Sequence, residues 1–178
     1  MAELNPPESG PVLWLSWQDV MDICKRLALA IDREYDPEII VGIARAGVIP
    51  AAIISCMLRK EFYPIRLSRR WRDRLVRSRP QVLVPMTDDV SGKTVLIVDE
   101  MSATGETLRL AMKEAAKKGA RRVKSAALYV RPGTWKPHWY GLETDALVVQ
   151  PWDAEVLLQG RFVLHPEYRE ATERINRW

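Results

Sequence analysis

Cysteine, histidine and phenylalanine are scarce, with two of each in 178 residues. So few thiols exclude the disulfide framework that staples small secreted domains. Cys24 and Cys56 show no metal-ligand spacing and fall in apolar-periodic stretches, so both are expected to be buried core residues of a reducing compartment. His138 and His165 lie far apart without ligand spacing, and no Ser-His-Asp or Cys-His arrangement accompanies them. Both are read as surface or packing residues. Long apolar runs are missing too: nothing approaches the ~18 uninterrupted apolar residues of a membrane span. Met1 to Pro11 is polar and proline-rich with no apolar h-region, which fits a loose arm better than a signal peptide. The cytoplasm is the expected address, with no membrane partner.

The chain has 47% apolar residues and enough length for one sizeable core, so a single domain over residues 1–178 is expected. Ser16 followed by Asp19 marks a helix start, after which Val20, Ile23, Cys24, Leu27, Ala28 and Ile31 share one helical face. Short apolar strands are expected at Ile39–Ile43, Phe62–Leu67, Gln81–Val84, Thr94–Val98, Val123–Val130 and Ala146–Val149. Helices are expected from about Val48 to Leu58, from Thr107 to Lys118 with Gly119 closing, and in the tail from Pro166 to Trp178. Strands alternating with helices predict an α/β fold with a mainly parallel central sheet flanked by helices. Ligands of such sheets sit beyond the C-terminal strand ends, where Arg45-Ala46-Gly47 and Asp99-Glu100 both fall.

The net charge of +4 matters less than its placement. The run Arg66 to Arg79 carries much of the basic excess around Trp71, and residues 68–80 are expected to form a mobile loop. Basic residues interleaved with Trp suit nucleic acid, a solvated loop, or a lid over a polyanionic small molecule. A phosphate-binding segment a few dozen residues downstream favours the lid and disfavours nucleic acid.

That segment is Val95-Leu96-Ile97-Val98-Asp99-Glu100-Met101-Ser102-Ala103-Thr104-Gly105-Glu106-Thr107. A buried strand delivers two carboxylates to its tip, and a Ser/Thr/Gly turn leads into an amphipathic helix. Turn amides and the helix dipole favour a phosphate, while the carboxylates accept hydrogen bonds from hydroxyls and help position a cation. An ordinary helix cap would also use acids and Thr, but it does not require two acids before the turn. The segment resembles the phosphoribosyl-diphosphate (PRPP) loop of the type I phosphoribosyltransferases. The resemblance implies that Asp99 and Glu100 meet the ribose hydroxyls and that Ser102, Ala103, Thr104, Gly105, Glu106 and Thr107 cradle the 5′-phosphate. Asp99 and Glu100 would also stand near Mg²⁺, the implied cofactor, through water.

Two further segments extend the resemblance over about Ser16 to Asp153. Val41 to Pro50 is similar to the family's pyrophosphate loop, with Arg45 as the basic residue, Ala46 and Gly47 as the small pair, and a cis peptide implied at Arg45–Ala46. Arg69 and Arg70 of the basic run would assist with pyrophosphate. Leu128 to Asp153 resembles the small hood of the 6-oxopurine branch, most closely the bacterial xanthine-guanine and archaeal purine enzymes, with hood elements over 131–160. There Arg131 stands for the Lys that donates to purine O6, Leu147 for the stacking aromatic, and Val148 for the residue whose backbone carbonyl meets the exocyclic edge. Trp152 follows in the Pro-Trp-Asp segment. The pattern is broken at Ala103, where these enzymes usually carry an Asp near purine N7, and at Arg131, Leu147 and the loop residues Arg69 to Arg72.

The resemblance thus implies the type I phosphoribosyltransferase fold and a Mg²⁺-dependent salvage enzyme, with Asp99, Glu100 and Arg45 as catalytic residues. PRPP and a purine-type base are the implied partners, and a homodimer or homotetramer is the implied assembly. Two alternatives share the fold: a regulatory protein binding PRPP or nucleotide together with nucleic acid, and a transferase for a non-purine acceptor.

Overall fold

The computed structural model describes residues 11–71 and 74–175. In chain order its elements are β1 (Val12–Trp14), α1 (Trp17–Glu34), β2 (Ile39–Ala44), α2 (Val48–Leu58), β3 (Glu61–Ser68), β4 (Arg70–Trp71), β5 (Arg74–Leu75), β6 (Gln81–Val84), β7 (Thr94–Ser102), α3 (Glu106–Lys117), β8 (Arg122–Val130), β9 (Trp139–Glu143), β10 (Leu147–Val149), β11 (Glu155–Leu158), β12 (Arg161–Leu164) and α4 (Pro166–Ile175). They fall into two compact units, Met21–Glu143 and Met1–Val20 with Thr144–Trp178.

The larger unit is built on a six-stranded sheet in the order β6-β3-β2-β7-β8-β9. Every neighbouring pair is parallel except β3 with β6. The central strands are apolar without alternation because both faces are covered. On one face Val41, Val95, Ile97 and Ala127 belong to a core shared with Leu108, Ala111 and Ala115 of α3. Ile40, Leu96 and Leu128 point to the other face by the two-residue period and are fully buried. Each such side chain contributes roughly 1.5–3 kcal/mol.

The start of α1 is fixed as its sequence suggests. The Ser16 N–H donates to Asp19 Oδ2 at 2.8 Å, and the Asp19 N–H donates to Ser16 Oγ at 3.1 Å. This reciprocal cap satisfies two donors that a helix N-terminus otherwise leaves open. The six residues expected on the inner face of α1 are all buried. Helix α2 buries Pro50, Ala51, Ile54 and Ser55. Cys56 lies on its opposite side and is exposed, so only Cys24 is the buried thiol expected; burial pushes that thiol up to about 12.

Three further expectations are corrected. Strand β7 does not stop at Val98: it runs through the acids to Ser102, because β8 continues beside it and pairs Met101 with Tyr129 and Ser102 with Val130. The basic run is not all loop. Strands β4 and β5 form a small antiparallel hairpin, closed by the Val76 and Arg77 N–H groups on the Arg69 carbonyl. The segment from Trp139 to Glu143 forms a further parallel strand, β9, against β8.

In the smaller unit β1 lies parallel to β10, β11 and β12 make a hairpin, and the Trp17 and Trp152 rings stand 5.8 Å apart. The Tyr168 hydroxyl, on α4, donates to Asp153 Oδ2 at 3.2 Å. The proposed N-terminal arm, apart from Pro11, and the end of the tail beyond residue 175 lie outside the described residues.

Candidate active site

The parallel strands β2, β3, β7 and β8 release their loops at one end of the sheet, and the candidate residues of the larger unit gather there. Asp99 and Glu100 are the sixth and seventh of the nine residues of β7. Asp99 is 6% exposed, and its Oδ1 accepts the Glu100 N–H at 3.0 Å. Burial pushes the Asp99 carboxyl well above the usual carboxylate range, and the Glu100 charge beside it adds to the rise. A hydrogen-bonding hydroxyl or a nearby cation would relieve this crowding. Among the described residues no cluster of three or more His, Cys, Asp or Glu side chains forms a metal cage. Two adjacent carboxylates suit a cation held mostly by ligand oxygens and water.

The turn after β2 meets this pair. A Cβ built on Gly47 would lie 2.6 Å from Asp99 Oδ1, 2.9 Å from Asp99 Cα and 2.7 Å from the Ile43 carbonyl oxygen. Only glycine fits, so the Arg45-Ala46-Gly47 turn and the acid pair are in direct apposition. The cis peptide of this turn joins Ala44 to Arg45, one bond earlier than expected. The carbonyls of Arg45, Ala46 and Gly47 already accept from the N–H groups of Val48, Ile49 and Ala51. The bond after Arg45 thus belongs to the helical turn that opens α2, and the irregular bond precedes it. Arg45 is exposed, Ala46 half-buried and Gly47 buried.

The cradle follows β7. Ser102 is 3% exposed, and its hydroxyl has no hydrogen-bond partner among the described residues. Ala103 is half-buried and Thr104 exposed. Gly105 precedes α3 with φ +78°, a left-handed conformation that glycine adopts without penalty. It brings no capping side chain; Thr104 Oγ1 accepts the Glu106 N–H at 3.4 Å. Glu106 and Thr107 form the first turn of α3, whose N–H groups and dipole favour an anion.

Residues that sequence reasoning passed over support this cradle from behind. The Arg109 guanidinium donates to the carbonyls of Gly105 at 3.4 Å and Thr104 at 3.3 Å. Its Cζ stands 5.7 Å from the centre of the Trp135 ring, and that indole packs on Gly105. The available signal was the Pro132-Gly133 turn after β8, which reverses the chain just before Trp135.

Arg131 begins the same loop, and its N–H donates to the Ser102 carbonyl at 3.1 Å, beside the cradle. Arg69 follows β3 at the same end of the sheet. The side chain of Arg70, and Arg72 altogether, lie outside the described residues. The other proposed base-side residues, Leu147 and Val148 in β10 and Trp152 beyond it, belong to the smaller unit. Val148 is buried in the strand paired with β1, and Trp152 Nε1 is buried without a partner among the described residues. His138 Nδ1 accepts the Ser125 N–H at 3.1 Å, a packing role on β8 away from the acids.

Residues 15–157 match the family model described as the phosphoribosyl transferase domain. The chain belongs to this family, and its mostly parallel sheet flanked by helices is the type I phosphoribosyltransferase fold. It is 29% identical over 130 residues to the hypoxanthine-guanine phosphoribosyltransferase of Schizosaccharomyces pombe, covering 63% of each protein. It is 31% identical over 106 residues to the orotate phosphoribosyltransferase of Sulfurisphaera tokodaii, covering 57% of this chain and 49% of that one. The chain thus spans about half to just under two thirds of the length of these curated relatives. Among solved structures it is similar to the purine phosphoribosyltransferase of Pyrococcus horikoshii, with 32% identity and a TM-score of 0.71 over 83% of this chain and 98% of that one. No described helix is long and apolar enough to cross a membrane.

Proposed function

We propose that the protein transfers the phosphoribosyl group of PRPP to a 6-oxopurine, giving a nucleoside monophosphate and pyrophosphate in purine salvage in the cytoplasm, as a homodimer or homotetramer. The observation that carries this reading is the apposition of the Asp99–Glu100 pair and the Gly47 turn at the entrance to the Gly105 cradle. One sugar phosphate can engage all three: its 5′-phosphate at the amides before α3, its ribose hydroxyls at the acids, and its pyrophosphate at the Arg45 turn.

Positive charge develops on the ribose as the bond to pyrophosphate breaks, and negative charge leaves with the pyrophosphate. The carboxylates face the former, while Arg45, with Arg69 and Arg70 of the basic hairpin, balances the latter. Asp99 and Glu100 would hold Mg²⁺ through water, and the ion would supply positive charge to offset the negative charge of the departing pyrophosphate. The ring nitrogen of the base supplies the electron pair for the new bond, so no protein nucleophile is required. Ala103 carries no titratable group, so the base proton leaves to another group, to water or before binding.

The purine assignment is supported by Arg131, a donor held beside the cradle by its own N–H, and by the similarity to the Pyrococcus horikoshii enzyme. The Sulfurisphaera tokodaii relative and Ala103 favour a second reading, a transferase for a non-purine acceptor such as orotate. Incubation with PRPP, Mg²⁺ and each of guanine, xanthine, hypoxanthine and orotate, with pyrophosphate release as the readout, separates the two. Turnover with a 6-oxopurine is expected, and turnover confined to orotate replaces the purine assignment. Silence on every base together with salt-sensitive RNA or DNA binding points to a regulatory protein instead.

A further inference from the structure

We propose that Trp135 and Arg109 are positioning residues that clamp the phosphate cradle from behind and hold it ready for the 5′-phosphate; this rests on the site reading above. Neither residue is placed to touch the sugar phosphate itself, and each acts through the backbone of Thr104 and Gly105.

The clamp has two jaws. Trp135 is half-buried, packs against the core beneath α3, and lays its indole on Gly105. A Cβ on Gly105 would lie 2.8 Å from Trp135 Cδ2 and closer still to Cε3, so the glycine is required by the indole as well as by its left-handed φ. Arg109, one turn into α3, reaches back to the carbonyls of Thr104 and Gly105 while its guanidinium faces the Trp135 ring at 5.7 Å. With these two carbonyls engaged by Arg109, the turn is held in the conformation that opens α3, whose N-terminal end favours an anion.

The loop that presents Trp135 is itself pinned. Thr134 Oγ1 donates to the Arg131 carbonyl at 2.9 Å, Lys136 Nζ pairs with Glu143 at 2.6 Å, and His138 receives the Ser125 N–H. Further along, Trp139 Nε1 donates to Glu34 Oε2 at 3.1 Å. The indole is therefore carried on a fixed arm, which is what pre-organisation of a binding loop requires.

Titration calorimetry on the full chain tests this with three probes: ribose 5-phosphate, PRPP with Mg²⁺, and pyrophosphate with Mg²⁺. Trp135→Ala is expected to weaken ribose 5-phosphate and PRPP by about tenfold, the scale expected for losing the pre-organisation of one loop. Pyrophosphate, which engages the Arg45 turn and the basic hairpin but not the cradle, is expected to bind as in the parent. Trp135→Phe keeps an aromatic face on Gly105 and restores most of the loss. Arg109→Met, on the exposed side of α3, produces a smaller loss in the same direction and serves if Trp135→Ala does not fold. Unchanged ribose 5-phosphate affinity in both Trp135→Ala and Arg109→Met overturns the clamp, and so does an equal loss for pyrophosphate. A parent protein that binds neither ribose 5-phosphate nor PRPP overturns the site reading instead.

Discussion

At the N-terminal end of the sheet Glu38 accepts from the Thr94 N–H at 2.8 Å and its hydroxyl at 3.0 Å, and pairs with Lys93 at 3.1 Å and Arg121 at 2.9 Å. At the C-terminal end Asp99 lies buried beside a second carboxylate and accepts the Glu100 N–H at 3.0 Å. The consequences are opposite in sign. The Thr94 backbone N–H, followed by Lys93 and the Thr94 hydroxyl, pulls the Glu38 carboxyl down to about 2. Burial, followed by Glu100, pushes the Asp99 carboxyl well above its ordinary range. One sheet thus keeps a satisfied acid where loops only connect and a crowded one where ligands are expected. An acid left in conflict with its surroundings marks a functional end.

The largest expected effect tests this contrast directly. Asp99→Asn combined with Glu100→Gln is expected to weaken PRPP binding by at least ~100-fold, the equivalent of two charge-assisted hydrogen bonds. Glu38→Gln is expected to leave it unchanged. The stability order is reversed: Asp99→Asn removes a buried charge conflict and is expected to raise the thermal midpoint by about 2–4 °C, for a gain of ~1 kcal/mol, whereas Glu38→Gln lowers it. Calorimetric binding and thermal melts on the three proteins check all four outcomes. PRPP affinity that falls equally in the Glu38 and Asp99 variants would erase the distinction between the ends.

The pH dependence provides a second, smaller test. Because the folded-state value of Glu38 is depressed, its stabilising contribution is present above the unfolded-state value of ~4.3 and disappears as pH falls towards about 2. Asp99 is raised, so its contribution is fully present below the unfolded-state value of ~3.9 and is lost as pH rises through its folded-state value. Denaturant melts as a function of pH are expected to show a steeper acid loss in the parent than in Glu38→Gln. The advantage of Asp99→Asn over the parent is expected to grow as pH rises. Identical acid slopes for the parent and Glu38→Gln would remove the stabilising role assigned to Glu38.

Local signals made much of this legible in the sequence. The Ser16–Asp19 cap, the buried face of α1 and the apolar strands β2 and β7 follow from spacing over a few residues. The acid pair and the glycine turn also stand within single short segments, which is why the cradle could be outlined before any contact was known. What escaped depends on distant pairing. Strand β7 extends past its acids only because Tyr129 and Val130 lie alongside, and Trp139 becomes part of a strand only through β8. Cys56 is exposed because the other side of an apolar helix met the core. Trp135 reaches Gly105 across thirty residues of sequence, from a loop followed by a distant anchor, Trp139 on Glu34.

The smallest effect compares the two ends of β7 itself. Thr94 and Ser102 both bury a hydroxyl, at 6% and 3% exposure. The Thr94 hydroxyl donates to Glu38 Oε2 at 3.0 Å, while that of Ser102 has no partner among the described residues. A buried hydrogen bond contributes about 0.5–1.5 kcal/mol and one to a charged group somewhat more, whereas an unmet buried hydroxyl costs on the order of 1–3 kcal/mol. Thr94→Val, which removes one of the three hydrogen bonds that Glu38 Oε2 accepts, is therefore expected to destabilise by about 1–2 kcal/mol. Ser102→Ala is expected to be neutral or to stabilise by up to ~1 kcal/mol, the loss of a small side-chain contact offsetting part of the relief. Urea denaturation midpoints with unchanged slopes read both values. If the Ser102 hydroxyl also meets the bound phosphate, Ser102→Ala weakens ribose 5-phosphate by a few-fold, the size of one neutral hydrogen bond, while raising stability. A destabilisation by Ser102→Ala as large as that of Thr94→Val would show that both ends of the strand are satisfied alike, and the contrast would then rest on the carboxylates alone.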